Sequence, residues 1–374
     1  MESGYFWSGV SAVKSEKSRL FLNGKFLKGK STAVNDVGKE FVRAIDEILA
    51  ENPDHRFAGN TTLALRRGTQ LDWEPKNLKI KMDGYLIRHL WEQIDLPIMA
   101  GGAPILNFCN LGPMATSNAV TVIHDAHVYE TPESYSKAFV AYYRLIYSQI
   151  GKRHKKIGAI SEYSKNALVA NGVTSADRII VTPDGLDHVL RDGCDPSVLA
   201  KLNLQPEGYV LALSNAYLHK NVRVLAEAFM DETLSDLKLV VFGSDGREQF
   251  EEAGIPVPPN LVFAGRVSNE ERRALYESAL GFGFPSRVEG FGLPPGEALL
   301  LGCPVIAAPC TAIPEVCGDA ATYADPDDPQ TWINEILDLK SLNADARANR
   351  IQAGQEQARK FTWRGSAEKL LNLV

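Results

Sequence analysis

The sequence predicts an α/β protein of two domains, each built on a parallel sheet. Two observations lead to this prediction. The chain has 374 residues, which is more than one hydrophobic core usually serves. Short apolar runs rich in β-branched residues, which are typical of buried parallel strands, alternate along the chain with amphipathic helix patterns. Repeated strand and helix units of this kind favour a parallel sheet in each half.

In the first half, strands are predicted at the apolar runs of residues 20–27, 61–65, 78–82, 119–123 and 157–160. Val37, Phe41, Ile45 and Ile48 recur at helical spacing and predict an amphipathic helix after the first strand. A second helix is predicted between a cap at Ser161 and a stop at Gly172.

The pattern of residues 134–156 is helical, with an aromatic-rich face and a basic end. We interpret it as a core helix, and the alternative is a face that touches anionic lipid. Lys25, Lys28 and Lys30 crowd one loop near the start of the chain. That cluster is either a solvated surface or an attraction for a phosphorylated acceptor or an anionic membrane.

The second half repeats the strand and helix alternation. Apolar strands are predicted within residues 209–215, 238–246 and 260–266, and Ser268 with Glu271 forms a capping box. The mixed polarity of residues 188–208 indicates a linker. We therefore predict domains at 1–195 and 205–358, followed by a closing helix at 360–374.

Composition excludes several classes of function. Forty Lys and Arg against 46 Asp and Glu give a net charge of −6, which argues against nucleic acid as the main partner. No apolar run approaches 18 residues and no signal-peptide pattern begins the chain, so we expect a cytoplasmic protein that does not span a membrane. The five cysteines form no CxxC pair, so reduced thiols are expected and a zinc site is not.

One stretch, residues 285–315, carries the chemistry. Its glycine loop leads into a helix opened by Pro294 and Pro295. The unpaired N–H groups of such a helix start suit a phosphate. Glu289 and Glu297 bracket this helix start, eight residues apart, and they suit hydroxyl groups on either side of the phosphate. A plainer interpretation, in which Glu297 complements the helix dipole and Glu289 is solvated, stays open on spacing alone.

The run EGFGLPPGEALLLGCPVIAAPCTAIPEVCGDAATYADPDDP closely resembles the signature of family 4 retaining glycosyltransferases of the GT-B fold, including its Glu-x7-Glu motif. The resemblance extends upstream through residues 263–280 and 214–229. It implies two doubly wound, Rossmann-like domains facing across a cleft, with the nucleotide-sugar donor on the C-terminal one and the acceptor on the N-terminal one. The closing helix is expected to cross back to the first domain.

The resemblance also assigns residues to roles. His124, at a strand end, is expected near the donor sugar, Lys220 near the donor diphosphate and Glu289 on the sugar hydroxyls, and these three form the expected catalytic set. Expected donor-binding residues are Glu297 (on the ribose), Gly290, Phe291, Gly292, Leu293, Arg287, Asn215, Arg266 and Val267. Acceptor-side residues are Asp125, Lys30, Ser31 and Thr32.

The function expected from the resemblance is a metal-independent, retaining transfer of a hexose to a saccharide or lipid-linked saccharide acceptor. GDP-mannose is slightly preferred over a UDP-hexose as the donor, and no cofactor is expected. The protein is further expected to contact an anionic membrane peripherally, at the inner face. Two alternatives remain open: a nucleotide-sugar epimerase of the same architecture, and a non-catalytic subunit that binds a nucleotide sugar.

Overall fold

Two all-parallel sheets make up the protein, in a computed structural model that describes residues 17–28 and 32–374. The first sheet has seven strands in the order β3-β2-β1-β4-β5-β6-β7, and the second has six in the order β10-β9-β8-β11-β12-β13. Every strand pair is parallel. The prediction of two doubly wound parallel sheets is therefore confirmed.

The strands of the first sheet are β1 Leu20–Asn23, β2 Thr61–Leu65, β3 Lys79–Met82, β4 Ile105–Asn107, β5 Ala119–Ile123, β6 Lys156–Ala159 and β7 Ile179–Val181. Those of the second are β8 Tyr209–Ser214, β9 Lys238–Gly243, β10 Leu261–Gly265, β11 Gly281–Phe284, β12 Val305–Ala307 and β13 Thr322–Tyr323. All but the edge strand β3 are wholly or largely removed from solvent, which explains their continuous apolar sequences.

The helices associated with the first sheet are α1 Ala33–Glu51, α2 Arg88–Leu90, α3 Leu96–Ala100, α4 His127–Glu130, α5 Lys137–Arg153 and α6 Glu162–Ala170. A π-helical turn, Trp91–Asp95, makes α2 and α3 one continuous helical segment. The later helices are α7 Ser197–Lys201, α8 Val222–Ala228, α9 Arg247–Glu252, α10 Asn269–Ser278, α11 Leu293–Leu300, α12 Ile313–Cys317, α13 Pro329–Ser341, α14 Ala344–Ala358 and α15 Trp363–Leu373.

Several local signals act as the sequence predicts. The hydroxyl of Ser161 accepts a hydrogen bond from the Ser164 amide at the start of α6, and Gly172, just past its end, has a φ of +68°. Ser268 and Glu271 form the expected capping box of α10. The stretch predicted as a linker is less irregular than expected, because it contains the short helix α7.

Both sheets reverse their strand order at one point, between β1 and β4 in the first and between β8 and β11 in the second. Open α/β sheets bind ligands in the crevice beyond the carboxyl ends of strands at such a point. The last helix, α15, packs against α1, with the rings of Phe41 and Trp363 5.1 Å apart. In the described part of the chain, no helix is both long and apolar enough to cross a bilayer.

Asp184, just after β7, is a buried carboxyl group outside any ion pair shown by the structure. It is 1% exposed, and its Oδ1 has no hydrogen-bond partner among the described residues. Burial raises the pKa of this side chain from 3.8 to about 8. The folded protein therefore holds this proton at pH values where the unfolded chain has released it.

The free energy of unfolding is expected to decrease as pH rises from about 4 to about 8, because over that range the folded state binds more protons at Asp184 than the unfolded state does. Replacement with a neutral side chain, Asp184→Asn, should remove this contribution and flatten the profile. Urea unfolding at several pH values measures it, with the exposed Asp338→Asn as the matched control. Parallel profiles for wild type and Asp184→Asn would contradict the assignment.

Candidate active site

The carboxyl end of β5 meets the glycine loop after β11. The carbonyl oxygen of Gly290 accepts a hydrogen bond from the Ser161 hydroxyl at 2.6 Å. The Ser164 hydroxyl lies 2.8 Å from the carbonyl oxygen of His124 and 3.0 Å from that of Gly290. A Cβ at Gly290 would collide with the His124 carbonyl oxygen. Glycine is thus required here for the close approach of two backbone segments.

A second contact holds the two sheets together beside the first. The carboxylate of Glu315, in helix α12, accepts hydrogen bonds from the amide groups of Glu162 at 2.8 Å and of Tyr163 at 3.3 Å. These amides are the free N–H groups at the start of α6, where a negative charge is stabilised by the helix dipole. The carboxyl edges of the two sheets therefore face each other in direct contact.

His124 is buried at this junction, with 4% exposure. Its Nε2 lies 2.6 Å from the Phe108 carbonyl oxygen. Because a carbonyl oxygen can only accept, Nε2 carries the ring proton and Nδ1 is the acceptor. Burial lowers the pKa of His124, although the Phe108 carbonyl and the charge of Asp125 act in the opposite direction. The ring is therefore neutral near pH 7.

Lys220 and Glu289 form an ion pair on the side of the second sheet, with Nζ and Oε1 2.7 Å apart. Both side chains are mostly shielded from solvent, at 26% and 13% exposure. The Glu289 amide donates to the Thr311 hydroxyl at 2.9 Å, which fixes the loop. Lys220 and Glu289 thus satisfy each other's charge.

Glu297, in the first turns of α11, contacts two basic side chains from outside that helix. Its Oε1 lies 3.0 Å from His188 Nε2, and its Oε2 lies 3.9 Å from Arg272. The Trp363 indole donates to His188 Nδ1 at 3.1 Å, so His188 Nε2 carries the proton and donates to Glu297. Burial alone would raise the pKa of Glu297, but the His188 hydrogen bond and the Arg272 charge outweigh it, and its pKa is lowered.

The remaining residues predicted to bind the donor occupy four places. Gly292 begins α11 with a φ of +112°, and Leu293 is its first helical residue, while the Phe291 side chain packs on Phe361 with ring centroids 5.4 Å apart. Arg287 pairs with Asp327 at 2.6 Å. Asn215 accepts the Tyr217 amide at 3.0 Å after β8. Arg266, exposed, and Val267, half-buried, follow β10.

A cavity of about 340 Å³ opens on the side of the first sheet. Its lining includes two of the predicted acceptor-side residues, Thr32 and Asp125, and three aromatic side chains, Tyr135, Phe139 and Tyr143. The three rings stack in sequence, with centroids 5.1 Å and 4.1 Å apart. Part of the aromatic face of α5, which the sequence suggested was core, therefore lines this cavity. Lys30 and Ser31, also predicted here, lie outside the described residues.

Lys25 does not form part of a free basic patch. Its Nζ lies 2.5 Å from a carboxylate oxygen of Glu92, a residue with 1% exposure. Lys28 donates to the Arg67 carbonyl oxygen. Lys28 is exposed, as the solvated surface run suggested by the sequence requires, whereas Lys25 is mostly shielded from solvent and neutralises a buried carboxylate.

Sequence reasoning missed several residues of this site. His188, 109 positions away in the sequence, donates a hydrogen bond to Glu297. The Ser164 hydroxyl contacts the backbone carbonyl oxygens of both His124 and Gly290. His219 faces the cleft from the second sheet. Burial lowers the pKa of His219, and the neighbouring Lys220 and, across the cleft, His127 lower it further. The Nε2 atom of His127 is buried without a partner among the described residues. No local motif marks these contacts, because the fold brings distant segments together.

Gly290→Ala is expected to destabilise the protein and to separate the two strand-end loops, because the new methyl group would collide with the carbonyl oxygen of His124. Overpacking of this kind costs about 1–3 kcal/mol. Thermal unfolding and the radius of gyration from small-angle scattering measure the effect. Gly193→Ala is the control, since its Cβ would lie 3.6 Å from its nearest neighbour. Equal unfolding temperatures and radii for the two variants would contradict the close-contact interpretation.

Among the described residues, no three His, Cys, Asp or Glu side chains are grouped so that they could share a metal ion.

Comparison with known proteins identifies the family. Residues 207–341 match the family described as glycosyl transferases group 1. The O-antigen chain mannosyltransferase B of Escherichia coli is 32% identical over 273 residues, which cover 70% of this chain and 71% of that protein. The O-antigen chain mannosyltransferase RfbU of Salmonella typhimurium is 25% identical over 233 residues, or 62% of this chain and 63% of that protein.

Solved structures show the same architecture. Sucrose-phosphate synthase from Thermosynechococcus elongatus superposes with a TM-score of 0.68 at 17% identity, covering 95% of this chain and 98% of that one. WaaG, a glycosyltransferase involved in lipopolysaccharide biosynthesis, gives 0.66 at 16% identity, covering 95% and 99%. At these identities the likeness shows the fold alone, which is the GT-B fold expected from the sequence. The chain therefore belongs to the group 1 glycosyltransferases.

Proposed function

We propose that the protein transfers a hexose from a nucleotide sugar to a saccharide acceptor, with retention of anomeric configuration and without a metal ion, in polysaccharide or glycolipid assembly. The observation that carries this proposal is the junction of His124 with the glycine loop of Glu289 and Gly290. There the backbone of His124 lies against the loop that carries Glu289, which pairs with Lys220, just before the start of α11. Mannose from GDP-mannose is the preferred donor, slightly ahead of a UDP-hexose, because two relatives are named mannosyltransferases.

The proposed diphosphate site lies at the N-terminus of α11. Gly292 and Leu293 present backbone N–H groups there, and the helix dipole adds partial positive charge. Lys220 would leave Glu289 and pair with the diphosphate as negative charge develops on the leaving group. Asn215 is proposed beside the same phosphates, with Arg287 as a second cation once Asp327 releases it. Arg266 and Val267 are proposed beside the base.

The proposed sugar site lies between the two sheets. Once Lys220 moves to the phosphates, Glu289 is free to accept hydrogen bonds from sugar hydroxyls. The backbone of Gly290 and Phe291 lines the same place, and Nδ1 of His124 accepts a further hydroxyl. Since Glu289 begins as the partner of a lysine, we propose that it positions the sugar and that the acceptor attacks from the face of the leaving phosphate.

The proposed acceptor site is the aromatic cavity beside the first sheet. Stacked rings offer flat apolar surface to a sugar ring, and Asp125 and Thr32 offer hydrogen-bond partners. Lys30 and Ser31 are proposed as further residues of the acceptor site. We accordingly propose residues 1–195 as the acceptor domain, with residues 360–374 packed against it, and residues 205–358 as the donor domain. A cytoplasmic protein, peripheral at the inner membrane face, fits a lipid-linked acceptor.

The wild-type protein is expected to bind GDP-mannose in the presence of EDTA, because Lys220 and the start of α11 supply the positive charge. Lys220→Ala should weaken binding by roughly tenfold or more, since a charge-assisted hydrogen bond contributes about 1.5–3 kcal/mol. Calorimetry with GDP-mannose and UDP-glucose measures both effects. The exposed-strand variant Lys81→Ala is the control.

Binding that requires added magnesium would contradict the metal-free proposal, and wild-type affinity in Lys220→Ala would contradict the assigned diphosphate site. Conversion of the nucleotide sugar into its epimer without any acceptor, followed by NMR, would favour the epimerase alternative.

His188 is expected to position Glu297 for the ribose of the donor. His188→Leu removes the donated hydrogen bond and should raise the KM for the nucleotide sugar roughly 3–30-fold with little change in kcat. His188→Gln keeps a donor and should recover most of the loss. Glu297→Gln should resemble His188→Leu.

Affinity for GDP and for its 2′,3′-dideoxy analogue separates positioning from a general structural effect. His188→Leu should weaken the binding of GDP while leaving that of the analogue nearly unchanged. Equal weakening of both nucleotides would show that His188 does not act through the ribose.

A further inference from the structure

One region of the first sheet exposes an unusual amount of apolar surface. Seven large apolar side chains between residues 80 and 98 are exposed, which is half of all such side chains in the described chain. We call them the apolar face: Ile80 at 41%, Met82 at 44%, Tyr85 at 83%, Ile87 at 65%, Leu90 at 55%, Ile94 at 46% and Ile98 at 73% exposure. Contiguous exposed apolar surface in a globular protein marks a contact with a partner or a membrane.

The helical part of this face is a single stripe. Ile87, Leu90, Ile94 and Ile98 recur at intervals of three and four residues along the continuous segment from α2 through α3, so they share one side of it. The opposite side is anchored in the core, where Trp91 and Leu96 have no exposed surface. The stripe therefore faces outward on a firmly seated helix.

Charged groups around the apolar face are arranged by sign. Two of the three carboxylates nearby point inward: Glu92 is buried against Lys25, and Asp95 accepts the Leu86 amide at 3.0 Å. The third, Asp83, pairs with Arg67 at 3.0 Å. Three exposed basic side chains lie between or beside the apolar ones in the sequence, at Lys79, Lys81 and Arg88. The exposed surface is thus apolar and positive, without an unpaired carboxylate in the described segment 76–102.

We propose that the apolar face docks the protein onto an anionic lipid bilayer. Aliphatic side chains enter the region between headgroups and acyl chains, tyrosine lies at the headgroup level, and lysine and arginine pair with anionic headgroups. A protein partner would more often meet complementary charges of both signs at the border of its contact surface. Because Asp83 is paired with Arg67, the unpaired charge in the described segment 76–102 is positive only, which matches a surface of one sign, as an anionic leaflet presents.

The docking surface adjoins the acceptor cavity. His89, on the same helical segment, lines that cavity together with Lys25, and its ring lies 4.9 Å from that of Tyr142 on α5. A saccharide carried on a membrane lipid would therefore reach the cavity from the docked bilayer. This last step rests on the proposed function; the membrane contact gives a surface to the peripheral location in that proposal, but it is argued from the apolar face alone.

Flotation of the full chain with vesicles tests the inference. Wild type should float with mixed vesicles of phosphatidylcholine and phosphatidylglycerol, and less with phosphatidylcholine alone. A triple variant, Leu90→Ser, Ile94→Ser and Ile98→Ser, should lower the partition coefficient by about tenfold or more. A charge variant, Lys79→Gln, Lys81→Gln and Arg88→Gln, should lose the preference for anionic vesicles and the sensitivity to salt. Met230→Ser, at 57% exposure on the second half of the chain, is the control.

Failure of wild type to float with anionic vesicles, or equal flotation of wild type and the triple variant, would overturn the inference. A wild-type oligomer that the triple variant converts to a monomer, without any vesicle binding, would assign the face to a second copy of the chain instead. GDP-mannose binding by the triple variant separates the two proposals. If the triple variant still binds GDP-mannose but no longer floats, the docking surface is supported. If wild type does not bind GDP-mannose, the proposed function is contradicted.

Discussion

The contact between Gly290 and the end of β5 is the constraint on which the rest of the site depends. Only a residue without a side chain lets the glycine loop of the second sheet reach the His124 carbonyl oxygen. The hydroxyls of Ser161 and Ser164 then satisfy backbone carbonyls that the close approach would otherwise leave without partners. As a result, groups from two sheets occupy one cleft, and a donor and an acceptor bound to either side would meet there.

The charges of the cleft are balanced within the protein itself. Lys220 neutralises Glu289, and His188 with Arg272 holds Glu297. Removing one member of such a shielded pair leaves the other charge uncompensated, which is costly. A ligand therefore has to offer each group a replacement partner. In the proposed function a nucleotide sugar would do so, because its diphosphate would replace Glu289 as the partner of Lys220 while its hydroxyls would replace Lys220 as the partner of Glu289. Specificity for such a ligand would follow from this exchange.

Local signals predicted most of the fold. The β-branched runs, the caps at Ser161 and Ser268 and the glycine after α6 each depend on residues close in sequence, and the family signature supplied the overall architecture. The hydrogen bonds from Trp363 to His188 and from His188 to Glu297 were not predictable, since they join three segments more than 60 residues apart. The stripe of Ile87, Leu90, Ile94 and Ile98 was equally hidden, because its helical spacing is the same as that of a core-facing helix. The roles assigned to the site residues stay predictions.

The central claim is that this cleft transfers a sugar with retention, using Lys220 and a helix N-terminus in place of a metal ion. The most direct test is the anomeric configuration of the product formed from GDP-α-mannose and a mannose-terminated saccharide in the presence of EDTA, determined by NMR from the one-bond carbon–proton coupling at the new linkage. The account predicts an α-linked mannose. A β-linked product, or a reaction that proceeds only after a divalent metal ion is restored, would contradict it.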